Sequence, residues 1–350
     1  MKILFIAPNY LPHIGGVEKH LDSLCKEMLK DGHEITILVQ KFENSYDDYE
    51  KDGNIEIIRL NKSANKVLRR LNMLKYMIIN IKNILKYDVI HFHDYATFWS
   101  YGLGVYPLLK LFGKKVFITF HGWEGDVPPR KSIVFKRRLI EKLTTANISV
   151  GHFISKWYGT KANIVSYGGV DKVNNLSQNK EDYILFVGRL APDTGIFDYI
   201  KAWKIVSQST KLEFLICGDG NLRIEIEQYI QDNNIDRVVL KGFVSNVKNY
   251  IKDAKVIFTA GYLGILEAFS YQKNVIAIYD NKLKKDYLQM IPNNEKMMWV
   301  VDNKLENIIN VFNEAIADDN KKEIAYQYSL QNSWKTVKED YYRLWGIKND

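Results

Sequence analysis

Phe258-Thr259-Ala260-Gly261-Tyr262-Leu263-Gly264-Ile265-Leu266-Glu267-Ala268-Phe269-Ser270, followed by Asn274-Val275-Ile276-Ala277, reads as one βαβ unit. An apolar strand runs into a loop framed by Gly261 and Gly264, then a helix-period run, then a second apolar strand. Two parallel strands need a connection of helix length between them, so the stretch argues a parallel sheet. Glycines at the helix start let a ligand approach the backbone, and the first-turn amides lack intrahelical acceptors. The amides from Tyr262 to Ile265 are therefore expected to cradle an anion, with Glu267, expected in the first turn, accepting from a sugar hydroxyl.

Outward from this unit the same grammar recurs. Strands are expected at Tyr183–Gly188, Leu212–Gly218, Val238–Phe243, Val256–Ala260, Val275–Tyr279 and Met297–Val301, alternating with helices at Phe197–Val206, Leu222–Gln231, Ser245–Lys252 and Ile265–Tyr271 and followed by three closing helices, the last at Ser333–Leu344. The first half repeats the pattern with strands at Ile3–Ala7, Glu34–Val39, Ile55–Leu60, Val89–His93, Val116–His121, Ile148–Val150 and Asn163–Ser166. Its helices are expected at Val17–Lys30, Asn65–Lys86, Thr97–Leu111 and Ser132–Leu143. Between Asp171 and Asp182 the chain is polar and without period, which predicts the linker. The expected fold class is α/β: two Rossmann-like parallel-sheet domains facing across a cleft, residues 1–171 and 183–332. A terminal helix, 333–350, is expected to cross back to the first domain.

Composition limits the alternatives. At 350 residues, 46% hydrophobic and 26% charged, the chain is an ordinary globular one, not collagen-like, disordered or a disulfide scaffold. Cys25 and Cys217 are far apart in apolar-periodic runs and read as buried thiols, which suits a reducing cytoplasm. The first apolar run stops at Pro8, too short for a signal peptide, and the longest other, Met73–Leu85, is broken by Lys75, Asn80, Lys82 and Asn83. A net charge of +8 favours anionic partners. Nucleic acid is not expected, for no binding module or aromatic-basic interleaving is present.

Further strand ends carry candidate chemistry. Gly15 and Gly16 open a helix after the first strand, an arrangement that admits a phosphate or merely makes a tight turn. Arg189 follows the strand ending at Gly188, where its planar fork suits a diphosphate or a plain surface ion pair. Gly218 and Gly242 end two more strands.

In order and spacing these features resemble the family-4 glycosyltransferases, the large retaining family of the GT-B fold. The resemblance rests on Gly15-Gly16-Val17-Glu18, Asp88-Val89-Ile90-His91-Phe92-His93, Thr119-Phe120-His121-Gly122, Gly169-Val170-Asp171, Val187-Gly188-Arg189-Leu190, Leu266-Glu267-Ala268 and the Trp334 helix. It implies a nucleotide-sugar site in the cleft. Gly16 would pack on the donor diphosphate, His121 would reach the donor sugar and Arg189 would hold the diphosphate, these last two being the catalytic candidates. Glu267 would hold the ribose, and Gly242, Phe243 and Val244 would border the base. Gly15, Gly218, Gly261, Tyr262, Leu263 and Gly264 complete the expected donor site. The chemistry implied is front-face retention without a metal or other cofactor, the leaving diphosphate taking the acceptor's proton.

The implied activity is transfer of a hexose or N-acetylhexosamine from a UDP- or GDP-sugar to a glycan or lipid-linked acceptor in cell-envelope polysaccharide or glycolipid synthesis. Three positions depart from the family pattern. Thr259 stands where the family has a glutamate, Thr194 where it has a lysine, and Gly168 where it has an asparagine. The first two are losses of charge, which leave open an unusual donor, a repositioned cation such as Lys273 or Lys255, or a non-catalytic GT-B subunit binding glycan, lipid or a partner transferase; the further alternative, a sugar-nucleotide epimerase, would need acidic groups around the donor sugar and is weakened by Thr259. Histidines 91 and 93 share a strand face and read as core or wall. A basic face with Arg69, Arg70, Lys75, Arg137 and Arg138 is expected to dock on an anionic membrane, making the protein cytoplasmic and peripheral at the inner face.

Overall fold

The computed structural model describes residues 1–13, 15–61, 65–173 and 182–347. They form two compact units, Met1–Ser166 together with the chain from Trp334 onward, and Tyr167–Ser333.

The first unit is built on eight strands: β1 (Lys2–Ile6), β2 (Glu34–Gln40), β3 (Tyr49–Asp52), β4 (Ile55–Leu60), β5 (Val89–His93), β6 (Val116–Phe120), β7 (Ala146–Val150) and β8 (Ile164–Ser166). Their order is β3-β4-β2-β1-β5-β6-β7-β8, parallel throughout except for β3. Strands β1, β5 and β6 are buried on both faces apart from Lys2, as a parallel sheet covered by helices requires. Strand β3 was not expected. Its Tyr-Glu-Lys-Asp sequence carries no apolar alternation, all four residues are exposed, and its charges sit on the open edge of the sheet.

The segment expected as one helix, Thr97–Leu111, is instead a π turn, Phe98–Gly102, followed by a helix at Tyr106–Leu111. Two glycines explain the break. A Cβ on Gly102 would lie 2.8 Å from the Phe92 ring, and one on Gly104 would lie 2.8 Å from Leu74, so both let the backbone press onto the core.

The second unit has six parallel strands: β9 (Tyr183–Val187), β10 (Glu213–Cys217), β11 (Val238–Gly242), β12 (Ala254–Phe258), β13 (Asn274–Tyr279) and β14 (Trp299–Asp302). Their order, β11-β10-β9-β12-β13-β14, is the Rossmann order, reversing between β9 and β12. Tyr199, stacked on Phe258 at 4.2 Å, donates to the Ile276 carbonyl and accepts from the Ile278 amide, so it holds its helix to the core of the sheet.

The division between units falls at Ser166/Tyr167 and not at Asp171. Tyr167 donates its hydroxyl to Met290 O at 2.6 Å, and Val170 pairs with the Asn332–Ser333 backbone, which ties this stretch to the second unit. Residues 174–181, most of the expected linker, lie outside the described residues. Of the three closing helices, Leu305–Ala317 and Asn320–Gln331 stay with the second unit, while Trp334–Trp345 joins the first. That last helix buries Trp334, Val337, Tyr341, Tyr342 and Trp345, a stripe at three- and four-residue spacing. Its Lys338 and Tyr342 both donate to Asp31. Cys25 and Cys217 are free and buried, as expected.

Candidate functional site

In the second unit the expected donor-binding residues gather at the carboxyl ends of β9 to β12. Arg189 is 72% exposed and pairs with Asp193 at 3.0 Å. A surface pair of this kind is worth little, so the guanidinium is free to exchange Asp193 for another anion. Thr194 is buried and donates its hydroxyl to Ala191 O, closing the turn before Gly195. The cation that reaches this loop is Lys284, whose Nζ donates to the Asp193 carbonyl at 2.5 Å. Burial lowers the pKa of this ammonium against the opposing pull of Asp280, Asp193 and Asp198. Lys284 and the helix that bears it, Lys282–Gln289, were missed by sequence reasoning because four of its first five residues are Lys or Asp. The available signals were Asn281, which caps the helix by accepting from Lys284 N, and the Leu283–Tyr287 spacing.

Gly218 serves close backbone packing: a Cβ there would sit 1.8 Å from Gly188 O. Gly242 has φ +68°, the left-handed region, and its carbonyl accepts from Gly218 N. Beside it Phe243 leaves 60% of its surface exposed and Val244 is half-buried.

After β12, the helix begins at Tyr262, three residues earlier than expected, so Glu267 lies in its second turn and not its first. The anion cradle also differs from expectation. Tyr262 gives its amide to the Tyr287 hydroxyl at 2.9 Å and its own hydroxyl to Tyr287 O at 2.7 Å, with the rings stacked at 3.9 Å. The Ile265 amide bonds Gly261 O. This leaves Leu263 and Gly264 as the first-turn amides without an intrahelical acceptor. A Cβ on Gly264 would lie 2.4 Å from the buried Thr259 hydroxyl, so Thr259 packs beneath that turn. Gly168 also has a physical reason. It takes φ +89°, a backbone conformation that strains any side chain, and a Cβ there would also press on a Leu263 methyl at 2.6 Å.

Glu267, 7% exposed, lines a pocket with Val170, Asp171, Lys172, Lys248 and Tyr271. Lys248 bridges to Asp171 at 2.8 Å, and this hydrogen bond raises its pKa. The pocket thus has two carboxylates, Asp171 and Glu267, and two ammonium groups, Lys172 and Lys248, a donor and acceptor set suited to hydroxyl groups.

In the first unit Gly15 and Gly16 diverge. Glu18 folds back so that its Oε2 would meet a Cβ on Gly15 at 2.5 Å, and its other oxygen bonds His13 Nδ1 at 3.0 Å. Gly16 faces open space.

His121 lies at the end of β6 in a cluster of four buried imidazoles. Trp345 donates its indole N–H to His91 Nδ1 at 3.1 Å, and His91 Nε2 meets Thr119 Oγ1 at 2.8 Å. Thr119 Oγ1 meets the Tyr341 hydroxyl at 2.8 Å, and Tyr341 meets His20 Nε2 at 3.1 Å. Because indole can only donate, His91 accepts at Nδ1 and, being neutral, donates from Nε2 to Thr119 Oγ1. Separately, His93 Nδ1 faces His121 Nε2 at 3.1 Å. Burial drives the pKa of His20 down to about 4 and those of His91, His93 and His121 well below the ordinary histidine value, so all four are neutral at pH 7.

Arg137 corrects the expected basic face. It is fully buried, with Nη2 donating to His121 O, Gly122 O and Glu124 Oε1 and its guanidinium 4.1 Å from the Tyr158 ring. Its helix turns this residue inward, with Ile133 and Ile140, so it braces the His121–Gly122 turn instead of meeting a surface. Asp94 stands 3.9 Å from it at φ +71°, its pKa pushed up to about 6 by burial. Arg70, Lys75 and Arg138 are exposed and Arg69 is half-buried. Among them the helix Lys66–Ile79 also exposes Val67, Leu68, Leu71, Ile78 and Ile79. Lys62, a further lysine just before this helix, is outside the described residues.

Residues 14–170 match the family described as Glycosyltransferase Family 4, and residues 170–331 match Glycosyl transferases group 1. This chain belongs to the family-4-type glycosyltransferases. An uncharacterized glycosyltransferase of Methanocaldococcus jannaschii is 31% identical over 250 residues, 69% of this chain. The match spans 66% of that relative's length, just under two thirds. Among solved structures, sucrose-phosphate synthase from Thermosynechococcus elongatus superposes with a TM-score of 0.79 at 16% identity, covering 99% of this chain and 98% of that one. HepE from Anabaena in complex with UDP gives 0.74 at 15% identity, covering 98% and 99%. These likenesses show the fold, which is GT-B. Among the described residues no three His, Cys, Asp or Glu side chains come together as metal ligands, and no helix is long and apolar enough to cross a membrane.

Proposed function

We propose that this glycosyltransferase moves a hexose or N-acetylhexosamine, with retention and without a metal ion, from a uridine or guanosine diphosphate sugar to a glycan or lipid-linked acceptor of the cell envelope. The observation that carries the reading is the grouping, in one unit, of an exposed Arg189, the acceptor-free amides of Leu263 and Gly264, and a pocketed Glu267. A guanidinium and helix-start amides fit a leaving diphosphate, whose growing charge they would stabilise, and a carboxylate fits ribose hydroxyls. The exposed Phe243 beside Gly242 suits one face of a base. Lys284 supplies a cation to the loop where Thr194 withholds one, which favours activity over a non-catalytic subunit. That HepE is known in complexes with UDP, with UDP and glucose, and with UDP-glucose supports a nucleotide-sugar donor.

The exposed aliphatic and basic side chains of the helix Lys66–Ile79 support peripheral docking on an acidic lipid surface, with Arg138 and without Arg137. Liposome flotation with and without acidic lipid tests it, and failure to float with either refutes it.

A thermal-shift panel against uridine, guanosine, adenosine and thymidine diphosphates and their sugars tests the donor site. Ligand at a hundred times its Kd stabilises by about 2.7 kcal/mol. Glu267→Ala and Arg189→Ala should each remove most of the shift while leaving the circular dichroism unchanged. A shift that persists in both variants overturns the site.

A further inference from the structure

We propose that His93 is a positioning residue that holds His121 as the Nδ1–H tautomer, so that His121 presents a hydrogen-bond donor and not a lone pair to its ligand. What the donor meets, a sugar or diphosphate oxygen, rests on the donor-site reading above; the tautomer does not. His93 is completely buried, and its Nδ1 stands 3.1 Å from His121 Nε2. The two rings are stacked 25° from parallel, and His20 packs edge-on against His121. Both imidazoles are neutral, so each carries one proton, and one proton lies between the facing nitrogens: with none, two lone pairs would oppose, and with two, the N–H groups would collide.

The other nitrogen of His93 decides which ring owns that proton. His93 Nε2 is buried with no hydrogen-bond partner. If His121 donated, the proton of His93 would have to sit on Nε2 as a buried N–H with no acceptor, the kind of group that folded proteins avoid most. If His93 donates from Nδ1, its Nε2 is a bare lone pair, and His121 must carry its proton on Nδ1. That nitrogen has no hydrogen bond among the described residues, and His121 keeps 8% of its surface open. Histidine in water favours the Nε2–H form, so the tautomer is one that the surroundings impose. Arg137, bonded to the His121 carbonyl, fixes the backbone from the other side.

The test uses the full chain labelled with ¹⁵N-histidine, whose long-range ¹H–¹⁵N spectrum distinguishes tautomers, with His121 assigned from its own variant. The wild type should show His121 as Nδ1–H. His93→Phe, which removes the contact, should release it to the Nε2–H form, while His93→Asn, whose side-chain amide can still donate, should keep it. With whichever nucleotide sugar the protein turns over, His93→Phe should lower kcat about tenfold or more with donor KM within about twofold, and His93→Asn should recover most of the loss. An Nε2–H His121 in the wild type overturns the proposal, and so does a His121 tautomer indifferent to His93→Phe. If His93→Phe fails to fold, the wild-type and His93→Asn spectra decide alone. Should the wild type bind no nucleoside diphosphate, the donor reading falls while the spectra still settle the tautomer.

Discussion

Mild acid should unfold the first unit before the second. All seven histidines of the chain, from His13 to His152, lie in the first unit and none in the second. Four of them, His20, His91, His93 and His121, are buried and have folded pKa values below the ordinary 6.5. A histidine whose folded pKa is depressed gives up stability as pH falls below the unfolded value, because only the unfolded chain takes up the proton. Each such group costs about 1.4 kcal/mol per pH unit, hence about 2 kcal/mol between pH 7 and pH 5 with an unfolded pKa near 6.5. Four of them give at most about 8 kcal/mol. Asp94 works in the opposite direction: its folded pKa is raised to about 6, so acid relieves a burial cost and returns at most about 1 kcal/mol over that range. The net loss, up to about 7 kcal/mol, is comparable with the whole stability of a domain. Hydrogen exchange read peptide by peptide at pH 7 and pH 5, corrected for intrinsic rates, should show protection falling by orders of magnitude in β1, β5 and β6 while β9, β12 and β13 change little. Equal protection of the two units at pH 5 would refute the assignment of four neutral buried histidines.

Arg137→Met should destabilise by about 3–5 kcal/mol in urea denaturation, because Glu124 and Asp94 lose a buried cation, whereas Arg138→Met should cost about 1 kcal/mol or less. Trp345→Phe strips His91 Nδ1 of its donor and should cost about 1–3 kcal/mol, read by thermal unfolding. Gly218→Ala should abolish stable folding of the second unit through its collision with Gly188 O. Gly16→Ala, which meets no atom within 4 Å, should keep the wild-type melting point and weaken nucleoside diphosphate binding; unchanged affinity would mean that the ligand does not approach Gly16.

Much of the fold was legible because parallel strands buried on both faces spell continuous apolar runs, and β1, β2, β5 and β6 lie within a residue of where those runs put them. Strand β3 escaped because an exposed edge needs no apolar pattern, and the helix Lys282–Gln289 escaped because its polarity hid an ammonium and a tyrosine that turn inward. For the site, residue type and position after a strand were enough to pick out Arg189, Glu267 and His121, but not their partners. That Tyr287 occupies the Tyr262 amide, that Glu18 covers Gly15 and that Arg137 is buried are facts of three-dimensional packing between segments that no local pattern records. Arg137 misled because a cation on an amphipathic helix is ordinarily solvated, and only the aromatic wall of Tyr158 and Tyr95 with the Glu124 carboxylate reverses that.

The helix Trp334–Trp345 belongs to a unit whose sheet and other helices were all polymerised before Tyr167. During synthesis the whole second unit must therefore emerge before Tyr341 can reach His20, 321 positions upstream, or Trp345 can reach His91. At about 5–20 residues per second, the first unit waits many seconds with the face that this helix will cover open to solvent. The unit begun first is then completed only after the second, and a chain truncated just before Trp334 would carry every residue of the second unit beside a first one that lacks its closing helix.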